Sequence, residues 1–223
     1  MFTLGRAMHD GLFGLSKNKE AGNAMMLRAG HAAEGEDFYG PAAAYYAKRK
    51  HSAPHLRAAA EAGQTEAQLS LGENIAGSGD HVTGLKWVHI AADAGDVWAL
   101  ICLAEISFNG LYGQPRSTTD SFEYAFRASS TEHPAGQTEL AMHYVLGAGT
   151  AQNQRLGAGM LQDIVNRTGN DEAIYWLAKC MAEGWGVTRN LRDAKALLQN
   201  AVRCEKVMDL FRLIDSYQSR SPM

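Results

Sequence analysis

The sequence of 223 residues has no strong excess of charge, since 21 Lys and Arg residues stand against 24 Asp and Glu residues. No basic stretch in it could neutralise several phosphates, which argues against nucleic-acid binding. It also lacks any run of about 18 apolar residues, so we expect no membrane insertion. Residues 1–20 lack a continuous apolar core and a small-residue cleavage site. We therefore expect no signal peptide and a cytoplasmic location.

Cysteine is scarce as well. The three cysteines are odd in number and lack the spacing of metal ligands; they are Cys102, Cys180 and Cys204. A secreted disulfide framework needs an even set of closely spaced cysteines. The sequence therefore predicts reduced thiols in a cytosol.

Catalytic and metal-binding motifs are weak or missing. His51 and His55 stand four residues apart, which could place two imidazoles on one metal, but Pro54 disturbs the helical geometry. The glycine pairs at 77–79 and 147–149 have no strand before them and no Lys after them, unlike phosphate-binding loops. No serine lies in a nucleophile elbow. We expect no enzyme activity, no metal and no cofactor.

What the sequence does contain is an internal repeat, which is clearest at residues 173–202. An apolar helical stretch ends there in Gly-Trp-Gly-Val at 184–187, and Asn190 opens a second helix as its N-cap. The pattern starts at four anchor residues, spaced 32, 37 and 37 residues apart: Ala67, Ala99, Gly136 and Ala173. This period fits two helices and two turns, a helix hairpin.

Capping residues and glycines set the predicted boundaries. Asp80, Ser117 and Asn153 stand where Asn190 stands in the clearest unit. The loop glycines suit turns of positive φ, and the small residues beside each Leu let paired helices approach closely. The predicted units are about 1–35, 37–63, 65–95, 97–134, 136–169 and 171–203, with the second the weakest.

The two ends of the array differ in pattern. Residues 205–217 have Val207, Leu210, Phe211 and Ile214 at helical spacing, which predicts an amphipathic helix that caps the stack within 204–223. The first predicted helix begins at Met1 with no turn before it. We therefore expect an exposed apolar edge there, and a homodimer through the N-terminal repeat is one way to cover it.

These residues resemble the Sel1-like repeats, relatives of the tetratricopeptide repeats. The family pattern is Ala-x3-Leu-Gly-x2-Tyr-x2-Gly-x-Gly-Val-x2-Asp, followed by Lys-Ala-x2-Trp-x2-Lys-Ala-Ala, and residues 173–202, 136–165 and 67–92 match many of its positions. The resemblance implies an all-α fold, a right-handed α-solenoid of stacked antiparallel helix hairpins, with a scaffold or adaptor role. Many members are secreted and some carry one disulfide per repeat, from which this sequence departs.

Helical spacing also predicts a partner-binding surface. Residues two, six and nine positions after each anchor should point away from the buried side of the first helix of each unit. In such stacks the first helices line the concave face, and this row contains many large apolar residues. The predicted contact residues are Leu69, Glu73, Ile101, Glu105, Phe108, Met142, Tyr175 and Lys179. Burial of some of them against neighbouring repeats is the alternative.

The sequence thus predicts a non-enzymatic adaptor that binds a partner protein through the concave face of the solenoid. One alternative is a bacterial immunity protein that neutralises a secreted toxin by occluding it. The resemblance implies this alternative, because some members of the family have this function. A second alternative is a self-assembling scaffold. The identity of the bound partner distinguishes the three hypotheses.

Overall fold

The computed structural model describes residues 53–199 and 205–220. Within these two ranges the chain forms ten α-helices and no β-strand, which confirms the predicted all-α class. Residue contacts divide the chain into two compact units, between Ala94 and Gly95. Predicted unit 1–35 and most of 37–63 lie outside the described residues. A single solenoid over 1–203 with a cap at 204–223 stays a prediction.

The first unit contains three described helices: α1 (Ala53–Glu61), α2 (Thr65–Gly77) and α3 (His81–Asp93). Helices α2 and α3 pair as a hairpin whose backbones touch where Gly72 faces Gly84. A Cβ added to Gly72 would lie 2.8 Å from the Gly84 carbonyl oxygen, and one added to Gly84 would lie 2.6 Å from that of Gly72. Only a residue without a Cβ allows this approach, as the pattern of small residues predicts.

The second unit contains seven described helices: α4 (Val97–Asn109), α5 (Thr118–Ser129), α6 (Pro134–Leu146), α7 (Gln154–Thr168), α8 (Asp171–Glu183), α9 (Leu191–Leu198) and α10 (Glu205–Arg220). The pairs α4–α5, α6–α7 and α8–α9 are hairpins, and α5 and α7 each also pack against the first helix of the following hairpin. The first helices α4, α6 and α8 contact one another in succession. This is the stack of helix hairpins of an α-solenoid.

The second helix of each of these hairpins begins at the predicted cap. Ser117, Asn153 and Asn190 each accept a hydrogen bond from the backbone N–H three residues later, at 3.2, 3.0 and 3.1 Å. The backbone N–H of each cap also donates, at 2.8 Å, to a carbonyl near the end of the preceding first helix. One residue thus starts the second helix and fastens it to the first.

The first helices of the second unit also begin at capping side chains, and these caps were not predicted. The capping side chains belong to Asp96, His133 and Asn170. Asp and Asn are ordinary N-cap residues, so their position just before each anchor was an available signal. His133 is less usual, because it is an imidazole Nδ1 that accepts from the Ala135 N–H at 3.2 Å.

Helix α10 lies on the last hairpin. Its residues Val207, Leu210 and Ile214 are buried together with Ile174 of α8 and Leu198 of α9. The helix predicted over 205–217 is therefore observed, and its apolar stripe covers α8 and α9.

Candidate protein-binding surface

The predicted contact residues of the second unit lie on its three first helices. We call the set the first-helix row; its members are Ile101, Glu105, Phe108, Met142, Tyr175 and Lys179. They belong to α4, α6 and α8, which contact one another in that order. The other two predicted residues, Leu69 and Glu73, lie on α2 in the first unit.

The members of the row differ in exposure. Glu105 is exposed, whereas Ile101, Phe108, Tyr175 and Lys179 are half-buried. On α2, Leu69 is half-buried, and burial raises the pKa of the Glu73 carboxyl although its side chain still reaches solvent. A half-buried apolar side chain is already held in place, so a partner that covers it orders little that was free.

The middle of the row departs from the spacing rule. The rule places Thr138, Met142 and Val145 toward solvent, but their exposed fractions are 1%, 8% and 0%, so for α6 the rule is wrong. The cause is that α6 contacts α5 and α7 and also α4 and α8. Val145 accordingly lies in one apolar cluster with Leu177 and Cys180. Met142 offers little of its surface to a partner.

At one end of the row, Phe108 packs against the next hairpin. Its ring contacts the His143 imidazole edge to face, with 6.0 Å between the ring centres, and the Arg116 guanidinium lies 5.4 Å above it. His143 is fully buried; its Nδ1 lies 2.8 Å from the Ala148 carbonyl oxygen and its Nε2 3.1 Å from the Ser121 hydroxyl. We therefore expect Phe108→Ala to lower stability as well as to alter the surface.

At the other end of the row, aromatic rings surround a lysine. The Lys179 ammonium nitrogen lies 4.9 Å from the Trp176 ring centre and 5.5 Å from that of Trp185. Tyr175 meets Trp176 edge to face at 5.7 Å. All four side chains are half-buried. Helical spacing from the anchor residues selects neither tryptophan for this surface. Trp176 lies three residues before Lys179 on the same helix, however, and Trp185 lies between the loop glycines Gly184 and Gly186.

The acid nearest in sequence does not neutralise this lysine. Glu183 lies four residues after Lys179 on α8, a spacing at which an ion pair can form. Its carboxylate instead accepts a hydrogen bond from the Tyr217 hydroxyl of α10 at 3.1 Å. The guanidinium of Arg189 lies 5.0 Å above the Tyr217 ring. In the described part of the chain, no carboxylate lies within ion-pair distance of Lys179.

Two of the three cysteines lie within the described residues. Cys102 is half-buried and Cys180 is buried. Burial raises the pKa of the Cys180 thiol to about 11, so this thiol is protonated at neutral pH. Within 53–199 and 205–220, no group of three or more His, Cys, Asp or Glu residues could hold a metal ion. None of the helices described is long and apolar enough to cross a membrane. His51 and Cys204 lie outside the described residues.

Comparisons with known proteins bear on the fold. No protein-family model matches this chain, and no curated protein matches it. A crystal structure of a protective antigen present in uropathogenic Escherichia coli strains, described as displaying an SLR fold, is 18% identical with a TM-score of 0.61. It covers 97% of this chain, and this chain covers 53% of it. A Sel1 repeat protein from Oxalobacter formigenes is 20% identical, with a TM-score of 0.53. The match covers 89% of this chain and 70% of the Oxalobacter protein.

This chain therefore has the Sel1-like repeat (SLR) fold that its glycine loops and caps predict. It spans about half the length of the E. coli antigen. At these identities the likeness establishes the fold, and function has to be argued from the surface itself.

Proposed function

We propose that this chain is a protein–protein interaction module that holds a partner protein on the first-helix row. The observation that supports it most is the aromatic end of the row, where Lys179 lies over the Trp176 and Trp185 rings and Tyr175 contacts Trp176. Interface energy concentrates in a few aromatic and cationic anchors of this kind.

The charges along the row support a specific partner. An exposed carboxylate at Glu105 on α4 and an unneutralised ammonium at Lys179 on α8 have opposite sign and lie on different hairpins. A partner with matching charges would dock in one orientation only, whereas a polyanion would gain from one of the two and be repelled by the other.

Site-specific photo-crosslinking tests this proposal. A photo-reactive amino acid replaces Glu105, and in a matched control it replaces Gln162, which is exposed on the second helix α7. Each protein is illuminated in a lysate of the cells from which the chain comes. We expect one or more discrete cross-linked species from position 105 and none from position 162. Equal products from both positions, or none from position 105, would remove the first-helix row from the proposal.

The identity of the cross-linked species separates the alternatives. Several cellular proteins support an adaptor. A single stoichiometric toxin supports an immunity protein, and a species that contains only this chain supports a self-assembling scaffold. The homodimer through the N-terminal repeat lies outside the described residues and stays a prediction, as does the cytoplasmic location; light scattering of the purified protein tests the first of these two.

A further inference from the structure

Lys179 is a half-buried cation for which the described part of the fold supplies no anion. Its ammonium lies over two indole faces, at 4.9 and 5.5 Å, and no described carboxylate pairs with it. By contrast, Lys195 on α9 forms an ion pair with Asp215 of α10 at 2.5 Å. Two lysines of the same unit therefore differ in whether the fold itself supplies the anion.

The arrangement around Glu183 keeps Lys179 unpaired. Glu183 is one helical turn away, a spacing at which an ion pair can form, although Lys before Glu is the weaker of the two orders. Here the Tyr217 hydroxyl donates to Glu183 at 3.1 Å. The Arg189 guanidinium covers the Tyr217 ring, and the Arg189 Nε donates to the Ala182 carbonyl oxygen at 2.9 Å. The acid that could neutralise Lys179 is thus bound by a different helix.

We propose that Lys179 is the docking point for a carboxylate of an acidic segment in the partner protein. This inference rests on the proposed function and adds the chemistry of the partner. An ammonium group has three N–H donors. Even with one directed at each indole face, one donor remains for a carboxylate oxygen. The indoles also restrict the lysine side chain before the partner arrives, so less rotamer freedom is lost on binding.

The aromatic walls specify what should flank the carboxylate. Trp176 and Trp185 are half-buried, so a partner side chain that covers them should be apolar or aromatic. One cation among aromatic rings suits one carboxylate beside such a side chain. It does not suit a polyphosphate, which needs several cations close together.

The test uses the full chain, labelled with ¹⁵N, and two synthetic probe peptides. One is acetyl-Gly-Phe-Glu-Phe-Gly-amide, and the other has Gln in place of Glu. The indole N–H signals of Trp176 and Trp185 report on the site, while those of Trp87 and Trp98 serve as internal references. We expect the Glu peptide to shift the signals of Trp176 and Trp185 and to bind about tenfold more tightly than the Gln peptide, as a charge-assisted hydrogen bond would give.

Variants of the two lysines locate the effect. Lys179→Met keeps the side-chain length over the indoles and removes the charge, so it should abolish the preference for Glu, whereas Lys179→Arg should retain it. Lys195→Met is the matched control, because that lysine already has Asp215. It should leave the preference unchanged.

A pair of variants that do not touch the probe tests the release of Lys179 from Glu183. Tyr217→Phe removes the hydroxyl that holds Glu183, so Glu183 can turn to Lys179 and compete with the Glu peptide. Binding of the Glu peptide should weaken in Tyr217→Phe and recover in Tyr217→Phe/Glu183→Gln. If Tyr217 only stabilised the fold, the added Glu183→Gln substitution would not restore binding of the Glu peptide.

Four outcomes would overturn the inference: no binding of the Glu peptide at millimolar concentration, equal affinity for Glu and Gln peptides, an unchanged preference in Lys179→Met, or shifts confined to Trp87 or Trp98. The proposed function fails separately. A discrete cross-link from position 105 together with any of these four outcomes would retain the interaction module and remove the carboxylate at Lys179.

Discussion

A single methyl group at Gly186 should disturb the stacking of the hairpins. Gly186 lies in the loop between α8 and α9 with φ at 71°, and a Cβ there would stand 2.1 Å from the carbonyl oxygen of Gln154. Gln154 is the first residue of α7, in the preceding hairpin. Gly149 repeats this geometry one unit earlier, with φ at 72° and 2.0 Å to the Thr118 carbonyl oxygen at the start of α5. The second loop glycine is therefore where each of these two hairpins rests on the one before it.

The expected loss has two parts. A non-glycine residue at this positive φ costs ~1 kcal/mol. The clash adds to that, because the Cβ would meet backbone atoms of Gln154 and Arg155 that no side-chain rotation can move. Separating the hairpins to relieve the overlap costs ~1–3 kcal/mol, as overpacking does elsewhere. Gly186→Ala should lose about 2–4 kcal/mol in the free energy of unfolding.

Gly184 provides the matched control. Its φ is 78°, but the nearest atom to an added Cβ is the Arg189 Cβ at 3.4 Å, so only the backbone strain applies. Gly184→Ala should lose ~1 kcal/mol. Urea denaturation followed by circular dichroism measures both, and a shifted midpoint with an unchanged slope reports stability alone. Equal losses in the two variants would refute the contact between hairpins at Gly186.

Three further predictions concern local features. Asn190→Ala should lose ~1 kcal/mol in the free energy of unfolding through loss of its cap, measured by the same titration. A hydrogen bond from the Thr83 N–H lowers the pKa of the Asp80 carboxyl. The stabilisation by this cap should therefore be present above about pH 4 and be lost as the pH falls through the lowered pKa. Asn does not titrate, so at pH values below the lowered pKa the melting temperature of Asp80→Asn should rise relative to that of the parent protein. Iodoacetamide at pH 7 should alkylate half-buried Cys102 and spare Cys180 until the chain unfolds, as peptide mass spectrometry would show.

The parts of the fold that the sequence predicts are those that neighbouring residues determine. Asn190 can cap because its side chain reaches a backbone N–H three residues on, and Gly186 can adopt positive φ because it has no Cβ. Both appear as residue types at fixed spacing. The close contact between Gly186 and Gln154 depends on how consecutive hairpins stack, and residue spacing alone does not predict it.

Burial of α6 shows where helical periodicity stops being informative. Counting 100° per residue assigns one buried face to each helix, but α6 has neighbours on several sides, so Met142 and Val145 are both buried. A usable signal was the lack of Asp, Glu, Lys and Arg over residues 140–146, the second half of α6, since a helical stretch without charge on any face is usually enclosed. His143 in that stretch is fully buried, with hydrogen-bond partners for both ring nitrogens.

The aromatic end of the row was predictable only in part. Tyr175 and Lys179 follow from their spacing on α8, whereas Trp185 reaches Lys179 because the loop after α8 turns back at Gly184. The engagement of Glu183 by Tyr217 joins residues 34 apart in sequence on two helices. Such a pairing depends on how α10 lies on the last hairpin, which local pattern does not specify.

Calorimetric titration of two tyrosine variants with the partner that cross-linking identifies shows whether this protein binds on the first-helix row. Tyr175 lies on the row, and Tyr124, on second helix α5, is a half-buried tyrosine off the row. Tyr175→Ala should weaken binding by ~2 kcal/mol, about 30-fold in Kd, while Tyr124→Ala should change Kd by less than about twofold. Thermal melting of both variants controls for folding. Equal affinities of the two folded variants, or a larger loss in Tyr124→Ala, would contradict the account.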